Sequence, residues 1–306
     1  MIDAVLVTSS SLELAHECIA HLREPEIEKI VLVDNASTDN TVAAVRSAHP
    51  EVTVVALEKP TGLAAALNRG AAEGGAPFVL YLNDDVFAVP GSISTLLTAL
   101  EERPDAVAAG GRLVDENLAT QAQYRPHAFP SAAALLARTL GVARLWPHNP
   151  LTGGHLRKPL DDHATVEVDQ LAGACLLVRR SAVRATGGWD ERYWVWYEDV
   201  DFSHRLAALG PRLYVPTAPF RHVGGATVRK LSAAKGRRLS AHGILQYSQT
   251  HLSPLGRVLV ALATVIVDLA RAAVSAPTDR AAARLYMDTV RSASALLANR
   301  NLPPPG

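Results

Sequence analysis

The sequence predicts an α/β fold: a mostly parallel, Rossmann-like sheet flanked by helices, with a C-terminal helical extension. Short β-branched runs alternate with helical patterns through the first third of the chain, which indicates a parallel sheet covered on both faces. Three separate polar clusters, Thr8-Ser9, Asp34-Asn35 and Asn83-Asp84-Asp85, each follow a strand. Ligands of open α/β sheets bind beyond those carboxyl ends.

In order, residues 4–8 read as a strand and 11–22 as the helix behind it. A second strand, 29–33, runs into the turn-rich segment 34–39, and a helix follows over 40–48. Residues 52–56 form a third strand, and 62–73 are helical by their alanine and leucine content. A fourth strand, 78–82, ends at Asn83-Asp84-Asp85. Ser92 is expected to cap a helix through Glu102, and 106–110 is a fifth strand. Residues 125–162, rich in Pro, His and Arg, look like a substrate-covering segment. Apolar character returns over 166–178, around Gly173. Residues 187–209 combine tryptophans, tyrosines and acids and end in a helix from about Val200, and 212–215 reads as a further strand. Beyond Val223 the chain turns basic (Arg229, Lys230, Lys235, Arg237, Arg238), then helical and alanine-rich. The expected division is a catalytic domain over 1–228 and a helical region over 229–306.

The 306 residues suffice for a full core, with 48% hydrophobic and 20% charged residues. The formal net charge is zero, so no global field recruits nucleic acid. Two cysteines, Cys18 and Cys175, are too few for a disulfide framework and fit a reducing, cytoplasmic setting. The first residues read as a strand rather than a signal peptide. The longest uncharged apolar run, 258–267, lies between Arg257 and Asp268. It falls short of the roughly 20 residues a membrane span needs, so no spanning helix is expected.

Carboxylates packed at the end of a buried strand repel one another, and a divalent cation relieves the repulsion. The hard oxygens of Asn83-Asp84-Asp85 suit Mg²⁺ or Mn²⁺, with diphosphate oxygens completing the shell. The competing reading is an ordinary Asn-Asp turn. Asp34-Asn35 suits the edge of a pyrimidine base, with Thr38 or Asp39 capping the next helix; alternatively the whole segment is turn and cap. Glu198, Asp199 and Asp201 crowd three carboxylates beside Trp194 and Trp196, an environment that raises a carboxyl pKa and suits a general base. A solvated acidic helix start is the plainer alternative. His222, before two glycines, is a candidate to complete a metal shell, although a lone histidine is more often structural.

Taken in order, VDNASTDN, TGLAAALNRG, YLNDDV, LAGACLLVRRSAV, GGWDERYWVWYEDVDFSHRL and FRHVGG resemble the family 2 glycosyltransferases, inverting enzymes of the A-type nucleotide-sugar-binding fold. The resemblance covers about residues 1–228. It implies that Thr8, Asp34 and Asn35 contact the nucleotide and that Asn83 and Asp85 occupy the ends of the family's D-x-D metal motif, with Asp84 between them. Asn83 replaces the first acid, which leaves Asp85 as the surer metal ligand. His222 is implied as a further ligand, and Asn68 and Arg69 lie toward the donor diphosphate. Asp199 is implied as the general base, with its neighbour Glu198 as the alternative. Mg²⁺ or Mn²⁺ is the implied cofactor.

A narrower resemblance, carried by RPHAFPSAAALLARTLGVARLWPHNP, LAGACLLVRRSA and GGWDERYWVWYEDVDF, is to rhamnosyltransferases acting on polyprenyl-diphosphate N-acetylglucosamine. It implies a dTDP-L-rhamnose donor and a lipid-linked glycan acceptor in cell-wall or polysaccharide assembly. A UDP- or GDP-linked sugar on another acceptor, or a non-catalytic sugar-nucleotide-binding scaffold, is the alternative. The basic stretch and the apolar helix near 255–273 are expected either to rest peripherally on an anionic membrane or to pack against the catalytic domain or a second copy in a homo-oligomer. A nucleotidyltransferase would open with a glycine-rich basic loop near the first strand, and this sequence has none.

Overall fold

The computed structural model describes residues 1–142, 146, 163–224 and 231–305. Its sheet starts where the β-branched runs start. Strands β1 (Ile2–Thr8), β2 (Ile27–Asp34), β3 (Thr53–Ala56) and β4 (Phe78–Asn83) alternate with helices α1 (Leu12–Ala20), α2 (Thr41–Ala48) and α3 (Leu63–Ala71). These four strands are parallel, in the order β3-β2-β1-β4. Their side chains divide by parity. Ala4, Leu6, Leu32, Leu80 and Leu82 face one core with α1, while Val5, Val79 and Tyr81 face the other. α3 lies very close to the sheet: a Cβ on Gly70 would come within 2.4 Å of Val5 Cγ1. Glycine weakens a helix, yet here it permits that contact.

Past β4 the sheet departs from the parallel pattern. β5 (Val86–Ala88), α4 (Ser92–Glu101), β6 (Ala108–Val114), β7 (Val166–Glu167), β8 (Cys175–Arg179), α6 (Arg180–Thr186), α7 (Glu198–Leu206) and β9 (Arg212–His222) complete the order β3-β2-β1-β4-β8-β6-β9-β5, with β7 on β9. β8 is antiparallel to both β4 and β6, β5 and β7 are antiparallel to β9, and β6 is parallel to β9. The sheet is therefore mixed. The apolar run at 166–178 signals burial but carries no information on strand direction, so the sequence does not show β8 entering backwards.

Two local expectations change. Ser92 is the first residue of α4 rather than its cap: Gly91, at φ 83°, occupies that position, and the Ser92 hydroxyl donates to the Pro219 carbonyl at 2.7 Å. Asn40, not Thr38 or Asp39, precedes α2, although Asp39 Oδ1 does accept from the Thr41 N–H at 3.1 Å. At the amino end of β1, Arg180 donates to Asp3 Oδ2 at 2.5 Å, to Ala76 O at 2.6 Å and to Ala71 O at 2.9 Å, all buried.

The chain divides into two units. The sheet belongs to the first, formed by Met1–His127, Pro159–Glu191 and Asp199–Thr227. The second takes in the described residues of Ala128–Lys158, Arg192–Glu198 and Val228–Gly306. It contains α5 (Ala132–Thr139), α8 (Ala233–His251), α9 (Pro254–Ser275) and α10 (Arg280–Leu297), with Leu245, Ala261, Ala293 and Leu296 as a shared core. Ser232, Ser253 and Asp279 each accept a backbone N–H at a helix start. Arg229 and Lys230, the start of the expected basic stretch, lie outside the described residues.

α9 extends the apolar run beyond its uncharged stretch. It is 22 residues long and contains an 18-residue stretch with a mean hydropathy of 2.0, enough by length and composition alone to cross a membrane. Asp268, which interrupts the run in sequence, is fully buried and held by Arg237 at 2.8 and 3.1 Å.

Candidate functional site

The carboxyl ends of β1, β2 and β4 lie side by side. Thr8 is level with Asp34, and Val7 with Asn83. The loops after β1 and β2 are tied together, since the Ser10 N–H donates to Ser37 Oγ at 2.7 Å and the Thr38 N–H donates to Ser10 Oγ at 3.0 Å. Ser10 and Ala36 sit in the left-handed backbone region at φ 53° and 57°. Strain of this kind clusters where ligands bind.

Two buried oxygens at this rim have no hydrogen-bond partner among the described residues: Thr8 Oγ1 and Asp34 Oδ1. Asp34 Oδ2 accepts from the Ser37 N–H at 3.1 Å, which fixes the carboxylate and leaves its second oxygen unmatched. Leaving buried polar atoms unmatched costs stability, so each of these two calls for a water or a ligand as its partner.

Not every polar residue at the rim is open. Asn35 Nδ2 donates to Thr61 O at 3.0 Å while its Oδ1 accepts from the Thr61 N–H at 2.8 Å, so this amide braces the loop before α3. Asn68 is likewise taken up. Its Oδ1 accepts from the Trp189 N–H at 2.8 Å and its Nδ2 donates to Trp189 O at 2.8 Å and to Glu191 at 2.9 Å. Trp189 is a core residue stacked on Phe202, with centroids 4.4 Å apart. Arg69 is exposed on α3.

β4 delivers Asn83, Asp84 and Asp85 into the turn before β5, and both aspartates are buried. Because β5 pairs with the end of β9, His222 is opposite Val86 and the Val223 N–H donates to Asp85 O at 3.0 Å. This register brings His222 Nε2 within 3.6 Å of Asp85 Oδ1, although 137 positions separate the two residues in sequence (222 − 85). Burial pushes the His222 pKa below its usual value, against the pull of Asp85. Near neutral pH the ring is uncharged. Gln121, on the segment leading out of β6, contacts His222 through both ends of its amide, at 2.7 and 2.9 Å. Nothing in the sequence marks this glutamine, which stands in a polar loop like many others.

The Asn83 N–H donates to Ala174 O at 3.1 Å, which places the loop before β8 against the end of β4. The next residue back, Gly173, donates its N–H to Asp199 Oδ2 at 3.1 Å. Asp199 also accepts from the Val200 N–H at 2.8 Å. Burial raises the Asp199 pKa, and those backbone N–H groups, with His127 beyond them, hold the rise in check. A continuous path of contacts in the first unit thus joins Asp85 and His222 through Asn83 and Gly173 to Asp199. Glu198, the preceding residue, is buried and falls in the second unit. There, Trp196 and Tyr197 precede it at φ 65° and 72°, and Gly243 permits the close approach: a Cβ on it would come within 2.5 Å of Trp196 O.

A metal has a limited donor set here. Among the described residues no three His, Cys, Asp or Glu side chains gather to hold an ion by themselves. Asp85 and His222 do present a carboxylate oxygen and a neutral imidazole nitrogen to one another. That pair suits a divalent ion such as Mn²⁺, whose remaining ligands are diphosphate oxygens and water.

Comparison with known proteins identifies the family and the fold. The family model "Glycosyl transferase family 2" matches residues 5–185. The N-acetylglucosaminyl-diphospho-decaprenol L-rhamnosyltransferase of Mycobacterium tuberculosis is 34% identical over 210 residues, covering 63% of this chain and 66% of that protein. The chain therefore spans just under two thirds of that relative's length. Among solved structures, S. aureus TarS 1-349 aligns over 98% of this chain and 92% of its own, with a TM-score of 0.52 and 13% identity. The mannosyltransferase PcManGT from Pyrobaculum calidifontis, solved with GDP-Man and Mn²⁺, covers 97% of this chain and 85% of its own, with a TM-score of 0.51 and 15% identity. At these identities the structural likenesses show the fold.

Proposed function

This chain belongs to glycosyl transferase family 2, and from that premise we propose that it transfers a sugar, with inversion, from a nucleoside-diphosphate donor to a hydroxyl acceptor. The observation that carries the proposal is the Asp85–His222 pair, 3.6 Å apart at the turn after β4, together with two unmatched buried oxygens at the ends of β1 and β2.

Each residue then has one task. Asp34 Oδ1 accepts from an N–H on the nucleobase edge, and Thr8 Oγ1 supplies a hydroxyl next to it. Asn35 and Asn68 act as braces that keep the donor-side loops in shape. Asn83 and Asp84 face the donor, and Asp85 and His222 would hold Mg²⁺ or Mn²⁺. Such an ion, when bound, supplies charge that offsets the negative charge growing on the departing diphosphate. Asp199 takes the proton of the acceptor hydroxyl as it attacks the anomeric carbon, because its raised pKa makes it a stronger base than an exposed aspartate. Asp199 is preferred to Glu198 because Gly173 ties it to the β4 end. A base on one face of the sugar and a leaving group on the other give inversion in a single displacement.

The likeness to the mycobacterial rhamnosyltransferase supports dTDP-L-rhamnose as donor and polyprenyl-diphosphate-linked N-acetylglucosamine as acceptor. Residues 1–228 would carry the chemistry, and 229–306 would meet the cytoplasmic face of the membrane. The second assignment is supported by the exposed face of α9, where Leu255, Leu259, Leu262, Ile266 and Leu269 point outward. Sedimentation with anionic vesicles separates this from pairing between copies of the chain: lipid-free protein that dimerises without binding vesicles removes the membrane assignment. The activity itself is tested by mass spectrometry after mixing the protein, dTDP-L-rhamnose, the lipid-linked acceptor and Mn²⁺. A rhamnosylated product is expected. Transfer from UDP- or GDP-sugars alone would overturn the donor, and no transfer from any nucleotide sugar would overturn the enzyme.

A further inference from the structure

Gln121 holds one residue at two points. Its Nε2 donates to the backbone carbonyl of His222 at 2.7 Å, and its Oε1 lies 2.9 Å from Nδ1 of the same residue. The first bond orients the second, because turning the amide over would set its oxygen against the His222 carbonyl and leave both without a donor. An amide oxygen only accepts, so the proton between Oε1 and the ring belongs to Nδ1. In a neutral imidazole, Nε2 then carries the lone pair. That nitrogen faces Asp85 Oδ1 at 3.6 Å, beyond hydrogen-bond reach, as expected where two acceptors meet. Tyr124 sets its ring edge-on against the imidazole, with centroids 4.5 Å apart and planes at 71°, which restricts rotation of the ring.

We infer that Gln121 is a positioning residue: it selects the Nδ1–H tautomer of His222 and so keeps Nε2 open toward a cation shared with Asp85. Without an acceptor at Nδ1, the proton is free to move to Nε2, where Asp85 would accept it and close the pair to metal. Histidine ligands are commonly fixed in this way through their second nitrogen, and loss of the partner lowers metal affinity about 10- to 100-fold. The inference rests on the proposed metal-dependent transfer, but the tautomer is a property of the chain alone and can be read without metal or donor.

The test is two-bond ¹H–¹⁵N correlation of the imidazole rings in ¹⁵N-labelled, metal-free protein near pH 7.5, with the His222 signals identified by their loss in His222→Gln. The wild type is expected to show Nδ1–H. Gln121→Leu is expected to show Nε2–H, together with Mn²⁺ affinity, measured by water-proton relaxation with Mn²⁺ alone, lower by about 10- to 100-fold. A wild-type ring protonated at Nε2 or at both nitrogens would overturn the inference, whatever Gln121→Leu does. So would a folded Gln121→Leu that keeps Nδ1–H and full Mn²⁺ affinity. A wild type with Nδ1–H that takes up no Mn²⁺ would instead overturn the metal reading and leave the tautomer selection standing.

Discussion

The backbone of Gly173 packs against the side chain of Asp199: a Cβ on Gly173 would lie 2.9 Å from the Asp199 Cβ, and the Gly173 N–H donates to Asp199 Oδ2 at 3.1 Å. The general-base candidate is thus held by a loop that meets the end of β4. Replacing Gly173 with alanine forces one of the two to shift. A displacement near 1 Å at a reacting group lowers rate by about 100-fold. Gly173→Ala should therefore lower kcat by roughly that factor while leaving the donor KM near wild type. Steady-state kinetics with varied donor checks this, and a change confined to KM would assign the loop to donor binding instead.

Burial raises the Asp199 pKa, and the sign of its effect on rate follows directly. A base accepts a proton only when ionised, so turnover falls as pH drops through the raised pKa. The acid limb of kcat should therefore lie above the value near 3.9 of an unperturbed aspartate. Asp199→Asn should abolish transfer while nucleotide binding survives. A pH–rate profile recorded with saturating donor tests both statements. An acid limb at the ordinary aspartate value would remove Asp199 from the role.

Thr8 Oγ1 is buried without a partner among the described residues. Thr8→Val removes the hydroxyl at nearly constant shape, so thermal stability of the free protein should hold or rise. Nucleoside diphosphate binding should weaken by about 2- to 12-fold, the equivalent of about 0.5–1.5 kcal/mol for one hydrogen bond. Calorimetry and a thermal melt on the same sample decide it. Unchanged affinity would mean that this hydroxyl does not face the donor.

The Asp3–Arg180 pair lies at the other end of β1 and contributes to stability rather than chemistry. Arg180 also holds the carbonyls of Ala71 and Ala76. Removing one partner of a buried pair leaves an uncompensated charge and costs about 3–5 kcal/mol. Arg180→Ala should show that loss in urea denaturation, while the fraction that remains folded binds nucleotide normally.

The legible parts of the sequence were those set by local pattern. β1, β2 and β4 are apolar runs ended by polar residues, and the rim clusters Thr8, Asp34 and Asn83-Asp84-Asp85 were visible for the same reason. What escaped depends on partners distant in sequence. Nothing local shows that the Asn68 amide bonds Trp189, that Asn35 is taken up by Thr61, or that Arg237 neutralises Asp268 inside α9. The reversed entry of β8 and the contact of Gln121 with His222 likewise arise from topology. Gly91 rather than Ser92 caps α4 because the chain there takes a left-handed conformation, which the capping preference of serine does not reveal.

The central claim is that Asp85 and His222 together hold a divalent ion against a donor diphosphate. Titration of a nucleoside diphosphate into the protein with and without Mn²⁺ measures it most directly. Mn²⁺ should tighten binding in the wild type, and both Asp85→Ala and His222→Ala should lose that gain while retaining the weaker metal-free binding. An equal gain from Mn²⁺ in the wild type and in both variants would contradict the account.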